Sequence, residues 1–357
     1  MSKTNLFEAF EAVSKQEWQD FVSQDPKSAG LMDKLHSNLG GVSVPAYASI
    51  EDIQQSTNTQ GEVVWQMTGS WRIAELISSH QALSKITPSS GTDAFWIQSP
   101  EFLSKNLQDL QIPCYLQGPA FRGEAGLQIL ASAASPPAAV SVFDDTTLIE
   151  NEQSTDLVQQ FKATRVISIT VDGNAERAAD ELAQGLRIFQ HYARQFLAKD
   201  ISLKSLLDSL QFVFLIGPSF YLEIARIRAF KMVLSKLILA LVPAFKDVVN
   251  VSLVADIDPS ITQVTDENTA MLGNTTKAMS AIMGGCDLVL IRPFHNDHSG
   301  TLYSRMARNT QLMLKHEAHL DRVTDPAAGS YYVEVLTQQL AQSTWDAFLA
   351  MENKEGA

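Results

Sequence analysis

The chain has 357 residues, 45% of them hydrophobic and 19% charged, and its 27 Lys and Arg against 40 Asp and Glu leave a net charge of −13. So acidic a protein repels phosphate backbones and anionic lipid headgroups, which excludes nucleic-acid and membrane-surface binding as expectations. A charged fraction below the usual ~25% implies a large core and surface set aside for a partner.

Residues 1–60 read as an extended N-terminal arm for subunit contact. Met1 to Trp18 interleaves Phe7, Phe10 and Val13 with Glu8, Glu11, Lys15 and Glu17, so it has no apolar run of the signal-peptide kind. The stretch from Ser37 to Gly61 is rich in Ser, Gly and Asn. Phe7, Phe10, Trp18 and Phe21 lie in a segment too short to build its own core and need another surface.

Residues 61–357 read as the barrel domain, because short apolar runs alternate with helical stretches. The runs are Val63 to Thr68, Ala94 to Gln98, Ile112 to Gly118, Ala138 to Phe143, Thr164 to Thr170, Phe212 to Gly217, Val248 to Asp256 and Asp287 to Pro293. Helical spacing covers Trp71 to Leu83, Asn174 to Leu197, Ser219 to Leu241, Asp266 to Met283 and Thr301 to His319, with a final helix at Leu336 to Met351. Eight strands with interleaved helices predict an α/β fold, a parallel (β/α)8 TIM barrel, with an open doubly wound sheet as the second choice. The most apolar helix, near Phe220 to Leu241, carries Glu223, Arg226, Arg228, Lys231 and Lys236, so it is no membrane span. Cys114 and Cys286 lie far apart in apolar runs and are expected as buried reduced thiols of a cytoplasmic protein.

Signals of chemistry are sparse. Neither G-x-G-x-x-G nor G-x-x-x-x-G-K-[ST] occurs, and Gly284-Gly285 reads as a helix C-cap and tight turn. Asp256 and Asp258 close the seventh run, and His295 and His298 follow the eighth, on the C-terminal rim where barrel enzymes keep their active sites. Two carboxylates there could do acid/base work, and the histidines with Asp297 could approach a metal; the simpler readings are an Asp-Pro turn and solvated loop residues. Arg308, Asn309 and Gln311 form a polar strip on one helix, and Asp325 with Gly329 shapes the turn after it. The strip is expected to hydrogen-bond groups near that turn.

Two blocks carry a family resemblance. The stretch ARNTQLMLKHEAHLDRVTDPAAGSYYVEVLT, Ala307 to Thr337, resembles the end of the substrate-binding barrel of methylmalonyl-CoA mutases, where an R-x-A-R-N-T-Q helix precedes a D-P-x-x-G-S-Y turn. Tyr221 to Lys231, entered from Gly217, is similar to that family's E-[IV]-A-[KR]-[LI]-R-A helix after the sixth strand. The resemblance runs from about Arg165 to the end and is weak before it.

Departures from the family pattern shape what the resemblance implies. Where catalytic chains have R-T-H-x-Q-T-S-G-W, this chain has Val254 to Ser260; where they have G-Y-H-x-[QR]-E-A-G, it has Val171 to Glu176; and their G-T-Q-S-L-H-T-N pattern is matched by Gly285 to Pro293. All three groups of polar substrate contacts are replaced. The family's cobalt ligand sits in a D-x-H-x-x-G loop of a separate doubly wound domain, and Asp297-His298-Ser299-Gly300 has the wrong spacing for it. A barrel without a cobalamin-binding domain is expected here.

The combination resembles the smaller, non-catalytic subunit of heterodimeric bacterial mutases of this family. It implies no cofactor on this chain, adenosylcobalamin in a larger catalytic partner subunit, and a supporting role in interconverting (R)-methylmalonyl-CoA and succinyl-CoA. The competing expectation is a free-standing barrel enzyme acting on an acyl-CoA or another anionic metabolite, with Asp256, Asp258, His295 and His298 as its acid/base set.

Overall fold

The computed structural model describes residues 13–25, 30, 37–45, 47–54, 65, 70–77, 91–99, 113–132, 139–143, 160, 164–259, 266–294 and 302–355. Eight strands close into a barrel: β3 (Arg72–Ile77), β4 (Ala94–Ile97), β5 (Cys114–Leu116), β6 (Ala139–Phe143), β7 (Arg165–Val171), β8 (Leu210–Leu215), β9 (Ser252–Ile257) and β10 (Leu288–Ile291). Each pairs in parallel with its neighbours, and β10 returns to β3 through Leu288 opposite Arg72. The expected (β/α)8 barrel is the observed fold. Parallel strands are covered on both faces, which is why these runs are nearly continuously apolar rather than alternating.

The helices of the barrel are α3 (Gly123–Ser132), α4 (Ala178–Ala198), α5 (Leu203–Asp208), α6 (Phe220–Leu241), α7 (Glu267–Gly284) and α8 (Leu302–His316), with α9 (Tyr331–Glu355) laid along α4 and α6. In α6, Phe230 meets Phe212 and Phe214 edge-on at centroid distances of 4.6 and 5.3 Å, tying that helix to β8. Asp266 caps α7 by accepting from the Thr269 amide at 2.8 Å. Gly285 closes the same helix at φ +88°, the left-handed cap expected of the Gly-Gly pair, while Gly284 lets α7 sit against α6: a Cβ there would lie 2.9 Å from the Ile227 side chain. Cys114 and Cys286 are both buried thiols, as expected, and burial pushes them up to about 11 and about 12.

Two expectations are corrected. The first barrel strand is β3, not Val63 to Thr68, of which only Trp65 is described, in an isolated bridge to Val249. Arg72 to Ile77, expected within the helix Trp71 to Leu83, is that strand, and residues 78–83 lie outside the described residues. The sequence RIAELI contains good helix formers, but pairing with β10 on one side and β4 on the other satisfies its backbone and buries its side chains.

The arm is more closely integrated than its composition implies. Its first helix, α1 (Lys15–Gln24), is started by a Ser14/Glu17 capping box and buries none of its residues. The hairpin β1 (Ser37–Leu39) and β2 (Val42–Val44) and the short α2 (Ile50–Gln54) follow. Val42 and Val44 join the main core, and Gly40 comes so near Ala178 and Leu222 that a Cβ would stand 3.1 and 3.2 Å from them. The hairpin thus docks on this chain's own barrel. Helix α1 is tied back by Lys15 to Asp52 at 2.6 Å and by Trp18 against Tyr47 at 5.1 Å, but Phe21 is 75% exposed. Phe7 and Phe10 lie outside the described residues. No helix among the described residues is long and apolar enough to cross a membrane.

Candidate functional site

The C-terminal mouth of the barrel is built from inward-facing positions just past the strands. Asp256 is the penultimate residue of β9, and Arg292 follows β10, one residue beyond the pair Ile291 and Ile257. Arg292 donates from Nε to Asp256 Oδ1 at 2.7 Å and from Nη2 to Oδ2 at 2.5 Å, and its Nη1 lies 3.6 Å from Asp258. With its amide turned so that the oxygen faces the guanidinium, Gln98, just after β4, accepts from Arg292 at 3.2 Å. Burial pushes the Asp256 carboxyl up, and the hydrogen bonds and charge of Arg292 hold it back. Each Asp256 oxygen thus accepts a hydrogen bond from the same guanidinium, which clasps β9 to the end of β10 at the mouth.

The two candidate histidines, His295 and His298, lie outside the described residues, so their meeting with Asp256 and Asp258 is not part of the described geometry. The structure brings the two aspartates together through Arg292, a residue that sequence reasoning left inside a departure from a motif. Its signal was available in the strand alternation: Leu288, Leu290 and Arg292 share the inward face, beside Val254 and Asp256 of the neighbouring strand.

Below the mouth the barrel is filled with side chains. Leu76, Trp96, Tyr115, Val213, Val254, Leu288 and Leu290 form the inner apolar cluster, with Trp96 stacked on Tyr115 at 5.9 Å and 10°. Beside them Gln211 donates to Ser168 at 2.8 Å and to Gln117 at 3.2 Å. Such an interior is a packed core and leaves no axial channel among the described side chains.

A second charged cluster lies where β7 and β8 end. Arg226 of α6, 1% exposed, donates to Glu223 at 3.0 Å, to the Leu215 carbonyl at 2.6 Å and to the Asp172 carbonyl. Glu223, also 1% exposed, is pushed up by burial and held back chiefly by the Arg226 charge, with the Gly217 amide also donating to it. Glycines are required here: a Cβ at Gly173 would stand 2.5 Å from the Leu215 carbonyl oxygen, and one at Gly217 would stand 2.8 Å from that of Gly173. Lys277 of α7 is 3% exposed, and its Nζ finds no hydrogen-bond partner among the described residues. Burial pulls its amine down, partly offset by Asp258 and Glu223.

The polar strip on α8 is placed differently from expectation. Arg308 reaches Glu75 of β3 at 3.2 Å, where Thr92 also donates to that carboxylate at 2.8 Å, and Gln311 donates to the Ala74 carbonyl at 3.4 Å. Asn309 is exposed. The turn is clamped instead by Arg228 of α6, which donates to Asp325 at 3.0 Å and to Glu334 at 2.8 Å, while Gly329 takes φ +82°. The strip's partners lie on β3 because side chains of α8 point at the strand it packs on, and the turn lies beyond their reach. Arg308→Ala should lower stability by about 1–3 kcal/mol, since it strips a buried carboxylate of its cation. Urea unfolding of the variant checks this, and a midpoint equal to the parent's would show that the pair contributes nothing.

The family model described as methylmalonyl-CoA mutase matches residues 150–357, well over half of the chain. The chain belongs to that family. A Porphyromonas gingivalis protein named methylmalonyl-CoA mutase small subunit is 25% identical across 99% of this chain and 65% of its own length. A Mycobacterium bovis protein named probable methylmalonyl-CoA mutase small subunit is 32% identical across 53% of this chain and 32% of its own. A Streptomyces virginiae protein named methylmalonyl-CoA mutase large subunit is 31% identical across 55% and 28%. The chain spans less than two thirds of the length of each.

Among the described residues of this mutase-family chain, no histidine stands at the mouth to ligate a metal: His191, His316 and His319 are exposed on or just beyond the outer helices α4 and α8.

Proposed function

We propose that this chain is the small subunit of a methylmalonyl-CoA mutase, a barrel that supports a larger catalytic subunit in a cytoplasmic heterodimer. In this reading the partner holds adenosylcobalamin and interconverts (R)-methylmalonyl-CoA and succinyl-CoA, while this chain binds no cofactor and carries out no chemistry. The observation that supports it most is the barrel itself: its axis is filled by Trp96 and Tyr115, below the Asp256–Arg292 pair. An enzyme needs an open, preorganised cavity; a scaffold needs only the outside of the fold. Relatives named as small and large subunits support a pairing of two homologous chains.

The contact surface proposed for the partner includes α1. A ten-residue helix is marginal in water, and α1 buries none of its own residues, so exposed Phe21 on it and Val13 just before it offer the partner an apolar surface. Deleting residues 1–30 removes α1 but keeps the docked hairpin, so the barrel should keep its circular dichroism and lose co-purification with a co-expressed larger mutase chain. Undiminished co-purification would remove α1 from the interface. The chain alone, incubated with adenosylcobalamin and passed over gel filtration, should show no corrinoid absorbance and no mutase turnover. A stoichiometric corrinoid signal, or turnover of an acyl-CoA by the lone chain, would favour the free-standing enzyme.

A further inference from the structure

We propose that the N-terminal end of the barrel interior binds a small tetrahedral oxyanion, such as inorganic phosphate, between the guanidinium groups of Arg72 and Arg165. The fold gathers donors there without matching acceptors. Arg72 opens β3, Arg165 opens β7 and Ser252 opens β9, while Tyr115 is the middle residue of β5. Arg72 shares the inward face of β3 with Ala74 and Leu76, as Ser252 shares that of β9 with Val254. Arg165 joins them through a bulge. The Val166 and Ile167 amides both donate to the Ser209 carbonyl, at 3.0 and 3.1 Å, and both side chains join the main core rather than the inner cluster. The residue before this doubled pair therefore returns to the inward face.

Arg72 lies over the Tyr115 ring, its guanidinium carbon 5.6 Å from the centroid. Arg165 Nε, the Tyr115 hydroxyl and Ser252 Oγ are buried and have no hydrogen-bond partner among the described residues. The groups whose charge acts on Arg165 include Tyr115, Arg72, Asp287 and Asp208. Both carboxylates are engaged elsewhere: Asp287 accepts from the Leu253 amide at 2.8 Å, and Asp208 accepts from Lys204 at 2.8 Å and Asn250 at 3.3 Å. Burial pulls Arg165 down, and the charge of Arg72 adds to the fall. A guanidinium nevertheless keeps its proton throughout the physiological range, so two that act on one another are relieved by an anion and not by deprotonation. The fork of an arginine matches a tetrahedral oxyanion, and the hydroxyls of Tyr115 and Ser252 supply two further donors.

Arg72 and Arg165 are half-buried, which leaves the ion free to exchange with solution. The site lies at the opposite end of the barrel from the Asp256–Arg292 pair, and Trp96 stacked on Tyr115 fills the axis above it, so a small ion suits it better than a long ligand. The net charge of −13 gives no long-range attraction for an anion, and selectivity rests on the short-range donors alone. This inference does not depend on the subunit reading.

Thermal unfolding of the full chain tests it, with sodium phosphate replacing sodium chloride at constant ionic strength. The melting temperature should rise and then saturate, because a ligand held only by the folded state stabilises it by mass action, whereas the exclusion of phosphate from the protein surface gives a rise without saturation. Arg165→Gln and Arg72→Gln should each weaken the apparent affinity by at least about tenfold, since each removes a charge-assisted contact. Arg177→Gln, an exposed arginine at the head of α4, should match the parent. Broadening of the phosphorus resonance of phosphate by the unaltered chain, reversed by excess sulfate, gives a second readout that does not depend on a variant folding. AMP in place of phosphate separates the sources of the oxyanion: equal protection assigns it to a larger molecule, and no protection assigns it to the free ion. A rise without saturation, a saturation that survives both substitutions, or a phosphorus resonance of unchanged width overturns the proposal.

Discussion

Replacing Arg226 with alanine should destabilise the chain by about 3–5 kcal/mol, the cost of breaking a buried ion pair from one side. Arg226 and Glu223 are each 1% exposed, and the guanidinium also satisfies the carbonyls of Leu215 and Asp172 at the ends of β8 and β7. Alanine would strand a carboxylate in the rim with the Gly217 amide and the unpartnered Lys277 as its remaining support, and would leave both carbonyls short of a donor. It would also remove the cation stacked on Phe214 at 5.5 Å. The double variant Arg226→Met with Glu223→Gln should recover much of the loss, because replacing a buried pair by matched neutral groups is far less costly than halving it. Urea unfolding followed by circular dichroism measures all three proteins. An alanine variant within about 1 kcal/mol of the parent would mean that water already reaches the site.

Trp96→Ala should cost about 3–5 kcal/mol, the range for deleting a large aromatic from a core that cannot collapse. Trp96 is fully buried on the inner face of β4, stacked on Tyr115 and surrounded by Leu76, Leu290 and Val254 within a closed ring of strands. The ring resists closing on a void, so the cavity term is retained. Trp96→Phe should cost much less, since the indole Nε1 has no hydrogen-bond partner among the described residues and the apolar contacts are largely kept. Thermal unfolding of both variants separates packing from hydrogen bonding. Equal losses for Phe and Ala would indicate that Nε1, through a buried water, carries the effect.

Much of the barrel was legible from local chemistry. The runs that became β7, β8, β9 and β10 are apolar and β-branched because parallel strands are covered on both faces, and the helix stripe from Phe220 to Leu241 and the Gly285 cap obey rules that involve only near neighbours in sequence. The motifs around Arg226 and Arg308 likewise marked the family before any contact was known. By contrast, the strand at Arg72–Ile77 is specified by its neighbours: a run with helical composition becomes a strand because β10 and β4 leave a gap that only a strand closes.

The site was decided almost wholly by tertiary structure. Asp256 and Asp258 were visible as rim carboxylates, but Arg292, 36 residues beyond Asp256, turns Asp256 into an internal clasp. Arg308 finds Glu75 across 233 residues, and Arg228 finds Asp325 across 97. A sequence shows which residues carry charge and which face of a strand they occupy. Whether two charges meet depends on barrel closure and on the depth to which each is buried, and burial changes a carboxylate from a proton acceptor into a structural anion because an unpaired charge away from water is too costly to keep.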